Sequence, residues 1–146
     1  MIFGRRRRHI TRILLVEDEP LVAFDNEHVL SDAGYTIIAT VPSVAGAVAA
    51  LRDDVELVLT DVSLPDGSGV EVARAARDKG VPVLFVTGAC PAEAAELAAG
   101  CLAKPYAPRD LLGAIRAIDA QLTGGKVPKL PDGFTLFAAP VTAEER

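Results

Sequence analysis

Four sets of polar residues in this chain sit immediately after short apolar runs: Glu17-Asp18, Asp61, Thr87 and Lys104. Three carboxylates brought together would repel one another in a partly buried place unless a hard cation neutralised them. Oxygen donors with room for water suit Mg²⁺. One carboxylate could then attack a phosphoryl group whose charge the cation screens. A lysine would supply a fixed positive charge for a second phosphoryl oxygen, and a threonine hydroxyl a hydrogen bond for a third. The chemistry these types point to is phosphoryl transfer onto a carboxylate. It requires a fold that gathers residues lying 43, 26 and 17 positions apart, counted from Asp18 through Asp61 and Thr87 to Lys104.

The elements that could do so are legible in the spacing. Ile13 to Val16 reads as a strand buried on both faces, and Thr36 to Val41, Val55 to Thr60, Val81 to Val86 and Cys101 to Ala103 read as further strands. Helices alternate with them. The first opens at Pro20, with Val22, Val29 and Ala33 as its inward face and Gly34 behind its end. The second follows Pro42-Ser43, with Val44, Ala47, Val48 and Leu51 at helical spacing. The third packs Val72, Ala73 and Ala76 and closes at Gly80. Pro91 to Ala99 holds only a short helix. The last runs from about Pro108 through Leu111, Ile115, Ile118 and Leu122 to Gly124-Gly125.

Five strand–helix alternations imply an α/β fold: a doubly wound, five-stranded parallel sheet in the flavodoxin-like order 2-1-3-4-5, with a shortened fourth helix. In such a sheet ligands bind at the carboxyl ends of the strands, where the four polar sets would meet.

The segments divide as a basic arm at 1–10, a domain at 11–122 and a Pro- and Gly-containing tail at 123–146. The tail is expected to be extended and without regular structure, except that Phe134-Thr135-Leu136-Phe137 is apolar enough to dock on the domain or a partner. The net charge is −5, and Arg5 to Arg8 leave the rest more acidic still, which argues against a nucleic-acid-binding domain. The arm itself reads as solvated. No apolar run is long enough to span a bilayer, so a cytoplasmic protein is expected. Cys90 and Cys101 fit neither a metal spacing nor a disulfide framework and are expected as reduced thiols filling small apolar spaces. A redox pair is the alternative, should the short connection bring them together. His9 and His28 have no partner ligands at metal spacing.

From about Arg12 to Leu122 the sequence resembles the receiver domains of two-component response regulators. Leu14-Leu15-Val16-Glu17-Asp18-Glu19 is similar to the family's acidic-pair segment, Asp61-Val62-Ser63-Leu64-Pro65-Asp66-Gly67-Ser68-Gly69 to its phosphoacceptor loop, and Lys104-Pro105 to its lysine–proline pair. The resemblance implies that Asp61 is the phosphoacceptor. It implies direct Mg²⁺ ligation by Asp18, Asp61 and the backbone carbonyl of Ser63, with Glu17 acting mainly through water. Lys104 would contact the phosphoryl group, Thr87 would turn toward it on activation, and Lys104-Pro105 would be cis. The implied donor is a histidine kinase or a histidine phosphotransfer protein.

Two positions depart from the family pattern. The aromatic residue usual three places before the lysine is Cys101 here. Phe85-Val86-Thr87-Gly88-Ala89-Cys90 is similar to the Phe-Ala-Thr-Gly-X-Tyr segment of alphaproteobacterial single-domain regulators, with Cys90 in place of their tyrosine. Tyr106 is the nearest aromatic that could substitute. About 24 residues follow Leu122, so no DNA-binding output domain is expected there; output would be protein contact, with the downstream partner unspecified and homodimerisation open. Two other functions compete. A phosphorylation-independent pseudo-receiver would bind without chemistry. An Mg²⁺-dependent aspartyl phosphatase of the haloacid-dehalogenase type would want a second Asp where Ser63 stands.

Overall fold

A computed structural model describes residues 9–138; the arginines Arg5 to Arg8 lie outside the described residues. Five parallel strands are present: β1 (Arg12–Val16), β2 (Thr36–Val41), β3 (Leu57–Asp61), β4 (Val83–Thr87) and β5 (Gly100–Ala103). They lie in the expected order 2-1-3-4-5. Between them run α1 (Pro20–Asp32), α2 (Val44–Ala50), α3 (Gly69–Asp78), α4 (Ala94–Leu97) and α5 (Pro108–Thr123). The fourth helix is a single turn, as the short Thr87–Lys104 spacing predicts.

Alternation within each strand divides the core in two, because successive side chains point to opposite faces. Ile13, Leu15, Leu57, Leu59, Leu84, Val86 and Leu102 pack with Leu30 of α1 and Leu111, Ala114, Ile115 and Ile118 of α5. Leu14, Val16, Val58, Val83, Phe85 and Cys101 pack on the other face with α2, α3 and α4, through Ala47, Val72, Ala73, Ala76, Ala94 and Leu97. Strands covered on both sides must be apolar throughout, which is why β3 and β4 are buried along their whole length.

Helix α1 corrects the expected pattern. Its buried residues are Ala23, Asn26 and Leu30, not Val22, Val29 and Ala33. Leu21 and Phe24 are exposed, so apolar residues stand on several sides of this helix and periodicity alone misplaces its inward face. The buried Asn26 is the reason: a polar residue occupies a core-facing position because its side-chain oxygen accepts a hydrogen bond from the Tyr106 hydroxyl at 3.1 Å.

The tail corrects the expectation that it lacks regular structure. Phe134–Leu136 forms β6, antiparallel to β5, with Leu102 opposite Phe134 and Gly100 opposite Leu136. The docking of this apolar piece follows from the unpaired backbone that β5 would otherwise present as an edge. Phe134 enters the α5-side core, and Phe137 packs against the opposite one.

At the other end of the sheet Glu56 fastens the start of β1. One of its carboxylate oxygens accepts from the Thr11 N–H (2.9 Å), the Thr11 hydroxyl (2.8 Å) and the Arg12 N–H (2.9 Å). Burial raises its pKa, but these bonds outweigh that and hold the carboxyl below its ordinary value of 4.5. The stabilisation is therefore full above about pH 4.5 and lost as pH falls through the lowered value. Glu56→Gln is expected to lower unfolding free energy by about 1 kcal/mol at neutral pH, the exposed setting discounting the usual value for bonds to a charged group. Urea titrations at pH 7 and in acid check it: the gap between the two proteins should close in acid.

Candidate active site

Register brings the polar residues together. Val16 pairs with Thr60, so Glu17 follows β1 beside Asp61, the last residue of β3. Asp61 pairs with Val86 and Thr87 with Ala103, placing Thr87 and Lys104 along the same edge. Carboxylate oxygens of Glu17, Asp18 and Asp61 lie within 4.8 Å of one another. The Lys104 Nζ donates to Asp61 Oδ2 at 2.9 Å and to Glu17 Oε1 at 3.4 Å. One lysine thus bridges two of the three acids.

The other Asp61 oxygen, Oδ1, accepts from the backbone N–H groups of Val62 (2.7 Å) and Ser63 (3.3 Å). A two-residue ribbon, Ser63–Leu64 against Gly67–Ser68, shapes the loop that supplies them. Gly69 closes that loop onto the strand: its N–H donates to Val62 O at 2.7 Å. A Cβ there would stand 2.2 Å from the Asp61 carbonyl oxygen, so only glycine lets α3 start this close to the site. Ser68 caps α3 together with Glu71 in a reciprocal capping box. Asp66 accepts from the Val44 and Ala45 N–H groups at the start of α2, and these bonds hold its carboxyl below its ordinary value.

Burial pushes the Glu17 carboxyl above its usual value, against the Glu19 N–H bond and the Lys104 charge. Burial pulls Lys104 down, but its bond to Asp61 and the charge of Glu17 outweigh this and leave it raised. The lysine is therefore a firm cation among partly desolvated acids.

Thr87 lies at the edge but does not reach the acids. Its hydroxyl donates to Ala89 O (3.1 Å) and accepts from the Ala89 N–H (3.2 Å). Ser63 is exposed, two residues past Asp61. The Lys104-Pro105 bond is cis. Tyr106 follows it, its hydroxyl fastened to Asn26 and its pKa raised by burial, partly opposed by that bond. A groove of about 530 Å³ opens beside Lys104, between Val22, Asn26 and Val29 of α1 and Pro105, Tyr106 and Pro108. Sequence spacing does not show Asn26 as part of this neighbourhood; its only signal is an amide among the apolar residues of α1.

The expectation of reduced thiols is corrected here: Cys90 and Cys101 are joined by a disulfide, with Cα atoms 6.4 Å apart. The shortened connection folds back tightly enough to bring them within bonding reach. The expected filling of a small apolar space holds for Cys101, buried on β5, and not for the exposed Cys90.

The three-carboxylate set offers only hard oxygen donors, and it lies beside a loop with free access to water. These donors fit Mg²⁺. Among the described residues no helix is long and apolar enough to cross a membrane.

Comparison with known proteins agrees with this geometry. The sequence model of the family "Response regulator receiver domain" matches residues 13–116. Response regulator protein PmrA of Pseudomonas aeruginosa is 31% identical over 131 residues, covering 84% of this chain and 58% of PmrA. The DNA-binding response regulator MtrA of Mycolicibacterium smegmatis is 34% identical over 116 residues, covering 73% and 49%. The chain thus spans about half the length of these relatives. Among solved structures, a CheY-like receiver domain protein from Methanospirillum hungatei superposes with TM-score 0.68 at 28% identity, covering 80% of this chain and 99% of that one. Chemotaxis response regulator CheY4 of Vibrio cholerae superposes with TM-score 0.65 at 27% identity, covering 75% and 98%.

Proposed function

Because the chain belongs to the response-regulator receiver domain family, whose members accept phosphoryl groups from histidine kinases, we propose that Asp61 is the phosphoacceptor of a phosphorylation-controlled interaction module. The observation that carries this reading is the bridge from Lys104 to Asp61 and Glu17 beside three clustered carboxylates. Asp61 Oδ2 attacks phosphorus, the bond from phosphorus to the donor's imidazole nitrogen breaks, and the electron pair leaves with that nitrogen. Lys104 moves from the carboxylate to a phosphoryl oxygen. The Val62 and Ser63 N–H groups hold Asp61 in place throughout. Asp18, Asp61 and the Ser63 carbonyl would hold Mg²⁺, with Glu17 acting through water. The ion supplies charge neutralisation for the acids and the phosphoryl oxygens. Thr87 gives up its bonds to Ala89 when its hydroxyl turns to the phosphoryl group.

A histidine kinase or histidine phosphotransfer protein is the donor in this reading. Leu21 and Phe24 stand exposed on α1 and give the donor an apolar surface. Output is by contact with a further protein, in the cytoplasm.

The reading is tested by incubating the chain with acetyl phosphate and Mg²⁺ and measuring intact mass. One phosphoryl adduct is expected, placed on Asp61 by peptide fragmentation and absent when a chelator removes the metal. No adduct overturns it in favour of binding without phosphorylation, and an adduct elsewhere overturns the assignment to Asp61.

A further inference from the structure

Both cysteines of the chain are consumed in one cross-link, and its position is particular. It spans the connection between β4 and β5, where the only helix is the four-residue α4. The two sulfurs differ in setting. Cys101 is 1% exposed and packs among Phe85, Ala94, Leu97 and Ala98, while Cys90 stands at the surface three residues after Thr87. The rest of the fold does not need the link: two cores, each covered by helices, flank a six-stranded sheet.

We infer that Cys90 and Cys101 form a reversible thiol–disulfide site, closed by low-molecular-weight disulfides, whose closure fastens the β4–β5 connection onto the sheet. In closing, the exposed Cys90 thiolate attacks one sulfur of the small disulfide, RSSR, and one RS⁻ leaves. Cys101, already within bonding reach, then attacks the Cys90 sulfur as thiolate, and the second RS⁻ leaves. Two cysteine thiols are oxidised, one RSSR is reduced to two RSH, and the two cysteine protons go to the released thiolates. A small thiol reverses the sequence, entering at the accessible Cys90 sulfur.

The consequence falls on Thr87. Its hydroxyl is held by both backbone groups of Ala89, the residue next to Cys90. With the link closed, Gly88 and Ala89 are held between β4 and an anchored sulfur, and the rearrangement that would free Thr87 is opposed. With it open, α4 with its packing and the Thr87–Ala89 bonds hold the connection. This last step rests on the phosphoacceptor reading given above; the thiol site does not.

The test equilibrates the full chain in a series of reduced-to-oxidised glutathione ratios, alkylates free thiols and reads intact mass. Two alkyl groups are expected at the reducing end, none at the oxidising end, and the midpoint within the series. Hydrogen exchange of amides 88–99 should be about tenfold slower in the closed form, with no redox dependence in Cys90→Ser, whose exposed site tolerates the change, nor in Cys101→Ala. Beryllofluoride with Mg²⁺ should bind the open form about fivefold more tightly. The inference is overturned if the link resists about a hundredfold excess of reduced glutathione, if Cys90 only collects glutathione, or if exchange is the same in both forms. Equal beryllofluoride affinity overturns the coupling to Thr87. If exchange responds and the mimic binds neither form, the thiol site stands and the phosphoacceptor reading fails.

Discussion

Lys104→Ala is expected to change two measurements in opposite directions, slowing phosphoryl transfer by about two orders of magnitude while tightening Mg²⁺ binding. The first effect follows from the loss of the one side-chain cation bonded to Asp61 among the described residues, since removing a single preorganised donor from a developing oxyanion costs about 10²–10³ in rate. The second follows from where that charge sits now. Lys104 Nζ is 2.9 Å from Asp61 and 3.4 Å from Glu17, so it neutralises the same carboxylates that a divalent cation would use. Two unit charges about 4 Å apart at an effective dielectric near 20 interact by about 4 kcal/mol, and partial exposure and salt reduce this to a change of about tenfold in affinity. Calorimetric Mg²⁺ titration and the rate of adduct formation with acetyl phosphate are the measurements. Asp61→Asn is the comparator, because it should abolish the adduct and weaken Mg²⁺ binding together. A lysine that merely tied the fold together would give Lys104→Ala a lower melting temperature with unchanged metal affinity, and that result would refute the role assigned to it.

How far the sequence reaches toward this site depends on what each residue must satisfy. The central strands are readable because covering both faces demands continuous apolar runs, and the residue ending each run is then fixed in space by register alone. That is how Glu17, Asp61, Thr87 and Lys104 are placed at one edge from their positions in the chain. The same logic fails where a position answers to a distant partner. Asn26 faces inward because Tyr106, 80 residues away, bonds to it, and no local period announces that. The hydroxyl of Thr87 is aimed at Ala89, a rotamer choice that spacing does not carry. Cys90 and Cys101 have an unremarkable separation of 11 residues; only the collapse of α4 to one turn makes them meet. Phe134 shows the intermediate case. Its apolar neighbourhood marks it as docking somewhere, while the place, the edge of β5, depends on the sheet ending there.

The second large effect is expected at that edge, where Phe134→Ala and Gly100→Ala should each destabilise the chain by about 2–3 kcal/mol and should not add. Removing a buried phenylalanine side chain costs about 3–5 kcal/mol in a core that cannot open. Here the tail can leave the sheet instead, so the loss is capped at whatever docking of β6 contributes. Gly100 meets the same ring from the other side: a Cβ there would lie 2.5 Å from Phe134 Cε1 and 2.7 Å from Cζ. With Gly100→Ala alone, the ring must move or the strand must detach, and backbone bonds such as Phe137 N–H to Ala99 O and Ala103 N–H to Gly133 O go with it. With Phe134→Ala already present, the added methyl enters space the ring has vacated, and Gly100→Ala should then cost less than about 1 kcal/mol. Chemical denaturation of the four proteins gives the coupling energy directly, and truncation after Gly125 measures the cap. Trypsin cleavage at Lys126 and Lys129 should quicken in either single variant, since both lysines lie in the exposed stretch between α5 and β6, which detachment of β6 leaves anchored at one end only. Additive costs in the cycle, or a truncated chain as stable as the intact one, would mean that β6 rests on the edge without stabilising it.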